Sequence, residues 1–200
     1  MSPYSFSAKL TEWLKSKSPK TIAGLDDTFA EKSFAVAFLL LMATSALPIP
    51  TGGITNVFEV ITLILAVEMI AGRRTLWLPE RWRHTRLSNA VEKKAMPKVI
   101  GFVRWFERLS RPRMSGLMQQ RQFIRVLGVI VFGFTLAALA APPFSGLDTL
   151  PSLGVILISL SLLLEDVAIF IGGMVVGVAG IILQISLGTA VFQLISKFFV

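Results

Sequence analysis

The sequence predicts an all-α integral membrane protein, and three observations predict it. Of 200 residues, 54% are hydrophobic and 16% charged, where soluble domains run at about 45–50% and about 25%. Mean hydropathy is +0.70, which also excludes disorder, a state of low hydropathy and high net charge. The apolar residues fall in helix-length blocks separated by proline/glycine clusters. The expected architecture is a single membrane domain over 1–200. It comprises two proline/glycine-broken helical hairpins, a long glycine-rich C-terminal helical segment, and interfacial amphipathic helices.

Residues 1–28 are read as a cytoplasmic amphipathic N-terminus. They carry no apolar run of the kind that precedes a signal-peptidase site. Phe6, Leu10, Trp13 and Leu14 stand at i, i+4, i+7 and i+8, one stripe of a helix suited to a membrane surface.

Residues 29–72 form the first broken hairpin. Asp26, Asp27 and Thr28 suit a helix N-terminus. Phe29–Leu47 is 19 residues, about 28 Å of helix against a hydrocarbon core of about 30 Å. Pro48-Ile49-Pro50-Thr51-Gly52-Gly53 cannot continue it. Helix resumes near Thr55 and ends at Gly72-Arg73-Arg74, a C-cap glycine followed by cations. Trp77 next to these arginines reads as an interfacial anchor.

Residues 73–122 are the basic segment. From Arg73 to Arg125 there are fourteen basic residues and three acidic ones, out of a whole-chain net charge of +8. A helix is expected over Lys98–Leu109, with Val99, Phe102, Val103, Phe106 and Leu109 on one side and Arg104 and Arg108 off it. Residues 123–166 form the second broken hairpin. An apolar block runs to Ala141, Pro142-Pro143-Phe144-Ser145-Gly146 breaks it, and Ser152–Leu164 follows, capped by Asp148 or Thr149 and closed by Glu165-Asp166. The C-terminal transmembrane segment, 167–200, carries one charge, Lys197. It is either one tilted helix longer than a single crossing or two segments broken near Gly180 or Gly188. Gly173 and Gly177 are spaced for close helix approach, within the chain or across a homodimer.

The halves resemble each other: Pro48 and Gly52 match Pro142 and Gly146 at a constant offset of 94. Such repeats with interrupted helices are a transporter pattern. The positive-inside rule puts both the N-terminus and 73–122 in the cytoplasm. Residues 29–72 must then enter and return, either as two full crossings or as a re-entrant loop shielded at membrane depth. Both versions stand.

Leu47-Pro48-Ile49-Pro50 with Gly52, Gly72-Arg73-Arg74, Trp77-Leu78-Pro79, Ala141-Pro142-Pro143 and the Glu165-Asp166 pair together resemble the ExoD-type exopolysaccharide-synthesis family of bacterial inner-membrane proteins. The likeness runs from about residue 20 to the end. It implies inner-membrane localisation and a link to exopolysaccharide production, and it brings no agreed catalytic residues.

Candidate substrate-binding residues lie at the breaks: Pro48, Pro50, Gly52, Gly53, Asn56, Glu59, Pro142, Pro143 and Gly146. Backbone N–H groups after the first break would face an anion or polar headgroup; an ordinary turn in water is the alternative. Glu59 is either a proton or cation carboxylate or a residue facing the far aqueous side. Glu68 suits an interfacial ion pair with Arg73. Glu165 and Asp166 read as a polar loop or as a carboxylate pair sharing a proton. Arg73, Arg74, Trp77, Arg104 and Arg108 are the membrane-surface residues, suited to anionic lipid. The same charge lies between membrane blocks, so nucleic acid is not expected.

The chain has no cysteine and one histidine, His84, which excludes thiolate and two-imidazole metal sites. No Walker loop, dinucleotide fingerprint, HExxH or GxSxG occurs. No cofactor, metal or enzymatic activity is expected. Two functions are carried forward: a small transporter with a polar site at the helix breaks, and a non-catalytic scaffold for polysaccharide-synthesis proteins.

Overall fold

A computed structural model of the chain describes residues 6–16, 32–46, 54–73, 96–110, 120–142 and 145–199. Among these residues there are seven helices and no strand. In chain order they are α1 (Phe6–Lys15), α2 (Ser33–Ser45), α3 (Ile54–Ile70), α4 (Met96–Leu109), α5 (Arg121–Leu139), α6 (Thr149–Leu164) and α7 (Val167–Phe199).

Among the described residues two helices are long and apolar enough to cross a membrane, by length and composition: Arg121–Leu139 and, within α7, Val167–Ala190. The others in the bundle are shorter. α2 has 13 residues and α6 has 16, about 20 and 24 Å of helix. α7 is continuous through Gly180 and Gly188 for 33 residues, so of the two readings of this segment the unbroken helix is the one observed.

The bundle is built on antiparallel contacts that can be read from its ends. At one end Lys32, just before α2, pairs with Glu165 just after α6 at 3.0 Å and donates to the Leu163 carbonyl at 3.0 Å. Gly72 closes α3 with φ +82°, and the Arg125 guanidinium of α5 lies where a side chain at Gly72 would begin. Further in, α5 presents Gly128 to Ala66 and Ile70 of α3. α6 and α7 pack through glycines: Gly154 on Gly177, Gly173 on Leu157 and Ile158, Gly180 on Leu150 and Pro151. Missing side chains let these backbones approach closely. α7 then continues past the start of α6.

Thus the starts of α2, α5 and α7 and the ends of α3 and α6 share one end of the bundle. That end carries Lys32, Arg73, Arg121 and Arg125. The ends of α2 and α5 and the starts of α3 and α6 share the other.

The N-terminal stripe forms the expected helix but faces protein. Phe6, Leu10 and Trp13 are buried, and α1 packs on α4. A helix whose stripe is matched by a neighbouring stripe buries it there in preference to open surface. Ser7 N donates to Glu107 Oε1 at 2.8 Å, and its Oγ donates to Oε2. On α4 the division of faces also differs from expectation. Ile100 and Val103 are buried, whereas Phe102, Trp105 and Leu109 are exposed at i, i+3 and i+7.

Two further expectations are resolved at α6 and its ends. Asp148 occupies the N-cap position without a side-chain cap bond, so it does not cap α6. The Glu165-Asp166 pair has separate tasks: Glu165 holds Lys32, and Asp166 Oδ1 accepts from Ala168 N at 2.9 Å, capping α7.

Candidate functional site

The candidate site is a buried cluster of oxygens between α2, α3, α5 and α6. Its centre is Glu59. α3 begins at Ile54, so Glu59 stands in its second turn, and it is only 2% exposed. Its Oε1 has no hydrogen-bond partner. Two groups lie close enough to act on that carboxylate: the Ser45 hydroxyl at the end of α2, as a nearby polar contact, and the Asp148 carboxylate before α6, through its charge. Ser45 Oγ, like Glu59 Oε1, has no hydrogen-bond partner.

Helix register adds two more oxygens. From the contact between Ala66 and Gly128, Glu59 lies seven residues back along α3 and Thr135 seven residues on along α5. Seven residues are two turns to within about 20°. Glu59 and Thr135 therefore stand at one level on the facing sides of antiparallel helices. Thr135 is fully buried and its Oγ1 is unpartnered. Similarly, Ser45 lies thirteen residues from Lys32, and Ser152 thirteen residues from Glu165. That puts both serines at one level of the α2/α6 pair, about 20 Å from the ion pair. Ser152 is also fully buried with an unpartnered Oγ.

Apart from Thr149 at the start of α6, whose Oγ1 is also unpartnered, hydroxyls deeper in these helices behave differently. Thr62 donates to the Phe58 carbonyl at 2.8 Å, Ser159 to Val155 at 2.7 Å and Ser161 to Ile158 at 2.7 Å. Bonding back to the helix's own carbonyls is the ordinary fate of a buried serine or threonine in an apolar bundle. Ser45, Thr135 and Ser152 do not take it. An unpaired buried hydroxyl costs about 1–3 kcal/mol, so three of them beside a buried carboxylate are a concentrated expense in stability.

The other expected residues are distributed as follows. Asn56 is exposed on α3, its Oδ1 accepting from Thr55 Oγ1 at 3.4 Å. Pro142 is exposed and its carbonyl accepts from Ser145 N and Oγ. Gly146 takes φ +68° with open space at its Cβ position. Arg73 and Arg108 are exposed, and Arg104 is partly buried. Glu68 is buried at the end of α3, and its carbonyl accepts from Arg73 N at 3.2 Å. Pro48, Pro50, Gly52, Gly53, Pro143, Arg74 and Trp77 lie outside the described residues. Ser45, Thr135 and Ser152 were not among the expected residues. No local signal singles them out, because α2 and α6 each carry several hydroxyls.

Fold and site together define a class: an all-helical protein with two helices suited to crossing a membrane and a polar centre buried among its helices. Residues 6–186 match the family described as Exopolysaccharide synthesis, ExoD, and the chain belongs to that family. It is 28% identical over 172 residues to an uncharacterised protein of Synechocystis, covering 84% of this chain and 76% of the relative. It is 26% identical over 186 residues to Protein ExoD of Rhizobium meliloti, covering 90% of this chain and 76% of the relative. No solved structure matches the chain.

Proposed function

We propose that this chain is a multi-pass inner-membrane transporter acting in exopolysaccharide production, with Glu59 and its surrounding hydroxyls as the transport site. One observation carries the reading: the Glu59 carboxylate is 2% exposed with Oε1 unpartnered, inside an apolar helix and within two turns of its broken start. Leu150 and Pro151 face Gly180, and Gly154 faces Gly177. Ser152 therefore lies level with the stretch of α7 between Gly177 and Gly180, about 17 Å of helix from the start of α7 at Val167, and α7 continues beyond that level to Phe199. Polar sites of transporters sit at the bilayer midplane, between interrupted helices.

The same register supports re-entrant rather than fully spanning breaks. α6 begins near the level of Gly180, and α7 continues past that level to Phe199. The family's name for exopolysaccharide synthesis supplies the pathway. The basic end of the bundle, with Lys32, Arg73, Arg121 and Arg125, belongs in the cytoplasm by the positive-inside rule. The exposed Phe102, Trp105 and Leu109 of α4, flanked by Arg104 and Arg108, suit the surface of an anionic leaflet.

The test is complementation of a deletion strain, with membrane abundance of each variant measured in parallel. Glu59→Gln is isosteric and is expected to accumulate normally and lose polysaccharide output. Full output from Glu59→Gln sinks the transporter reading. The scaffold alternative expects the reverse: output lost on charge reversal at Arg104 and Arg108 and kept in Glu59→Gln.

A further inference from the structure

Resting on that reading, we propose that Ser45, Glu59, Thr135 and Ser152 form a binding site for a monovalent alkali cation. The first argument is charge. A carboxylate buried in an apolar bundle needs a compensating positive charge or a proton. No lysine or arginine supplies one from the surrounding helices. α2, α3 and α6 contain none, and those of α5, Arg121 and Arg125, stand at the opposite end. Lys32 is engaged at that far end with Glu165.

The second argument is the donor set. Every group in the cluster offers oxygen: one carboxylate and three hydroxyls, each with an atom left unpartnered. Oxygen-only sets suit hard cations. Unsatisfied hydroxyl lone pairs from three other helices around one carboxylate are what such an ion coordinates, and coordination removes the burial penalty of all four side chains together.

The third argument fixes the ion's charge. Among the described residues no three carboxylates or imidazoles gather to hold a metal. Glu59 is the one fully buried carboxylate of the cluster and neutralises one positive charge, whereas Asp148 is half-buried and screened by solvent, so a divalent ion would leave a surplus in low dielectric. The helix ends set no sign of their own, because two N-termini (α3, α6) and two C-termini (α2, α5) meet at this level and their dipoles oppose. Asp148 is half-buried, does not cap α6 and acts on Glu59 through space. It stands where an arriving cation would first be attracted.

The test uses the purified full chain in detergent, melted in sodium, lithium, potassium or choline chloride at constant ionic strength and pH. At least one alkali cation is expected to raise Tm saturably over choline. Glu59→Gln is expected to abolish that response while melting normally in choline. Ser45→Ala and Thr135→Val are expected to weaken apparent affinity at least tenfold. Should Glu59→Gln fail to fold, Ser152→Ala and Thr135→Val carry the same comparison.

An alkali response that survives Glu59→Gln overturns the proposal. So does the absence of any alkali response in the wild type, including a stability that follows pH alone, which would identify the occupant as a proton. A stronger response to calcium or magnesium overturns the monovalent assignment. An alkali response lost in a Glu59→Gln protein that still supports polysaccharide output upholds this site and sinks the transporter reading. Lost output with no alkali response in the wild type does the opposite.

Discussion

The Phe134 ring of α5 lies across Gly177 of α7, in the volume that a Cβ at position 177 would need. It also lies against Gly154 of α6, whose own Cβ would stand 2.7 Å from the Gly177 Cα. Three helices are thus keyed together by one aromatic ring and two absent side chains, about half a turn from the level of Ser152. The ring is 4% exposed, so it has nowhere to retreat.

Gly177→Ala is therefore expected to destabilise the bundle by about 1–3 kcal/mol, the range for overpacking a close-packed core. Phe134→Leu in the same chain is expected to restore at least half of that loss. A double-mutant cycle on Tm in detergent reads the coupling. Additive losses would show that ring and glycine do not share the volume.

Glu165 takes φ 56°, the one positive φ at a non-glycine among the described residues. The left-handed conformation costs roughly 1–2 kcal/mol for an ordinary residue, and a half-exposed ion pair contributes at most about 1 kcal/mol. Glu165→Gly is thus expected to be neutral or stabilising despite losing Lys32. Glu165→Gln, which loses the charge and keeps the strain, is expected to lower stability by less than about 1 kcal/mol. Thermal unfolding of both variants checks the order.

Asp166 caps α7 through Ala168 N. Asp166→Ala is expected to cost about 1 kcal/mol, and Asp166→Ser or Asp166→Asn a few tenths, because each retains a capping oxygen. Equal losses in all three variants would assign the effect to something other than the cap.

Glu107 ties α4 to the first turn of α1 by accepting from both Ser7 N and Ser7 Oγ. Hydrogen bonds to a charged partner contribute about 1.5–3 kcal/mol each before solvent screening. Glu107→Ala is expected to loosen α1 selectively. Trypsin should then cut at Lys9 and Lys15 faster than in the wild type, while the melting of the main bundle stays unchanged.

Much of the fold is legible locally. The stripe at Phe6, Leu10, Trp13 and Leu14 is a helix because its spacing and residue types make one. Gly72 is the C-cap of α3 because only glycine takes φ +82° without strain. Glu59 is legible as a residue of interest because an ionisable group is rare in an apolar helix. Its partners are not. Serine and threonine are common in helices and usually bond to their own backbone, as Thr62 and Ser159 do here. Nothing local distinguishes Ser45, Thr135 or Ser152 from these. The faces of α4 were misjudged for a similar reason: periodicity marks Phe102 and Ile100 alike as apolar, but not which of them meets a neighbour.

By itself the sequence determined the helical class, the approximate places where helices form and break, and the concentration of positive charge in the middle of the chain. These follow from hydropathy, proline and glycine stereochemistry and charge, which act within a few residues. The tertiary structure alone decided that Glu59 is buried, with Ser45 and Asp148 close to it, and that the register of the packed helices brings Thr135 and Ser152 to neighbouring levels. That depends on how far antiparallel helices slide past one another, and contacts such as Gly128 on Ala66 and Gly180 on Pro151 fix it between segments distant in the chain.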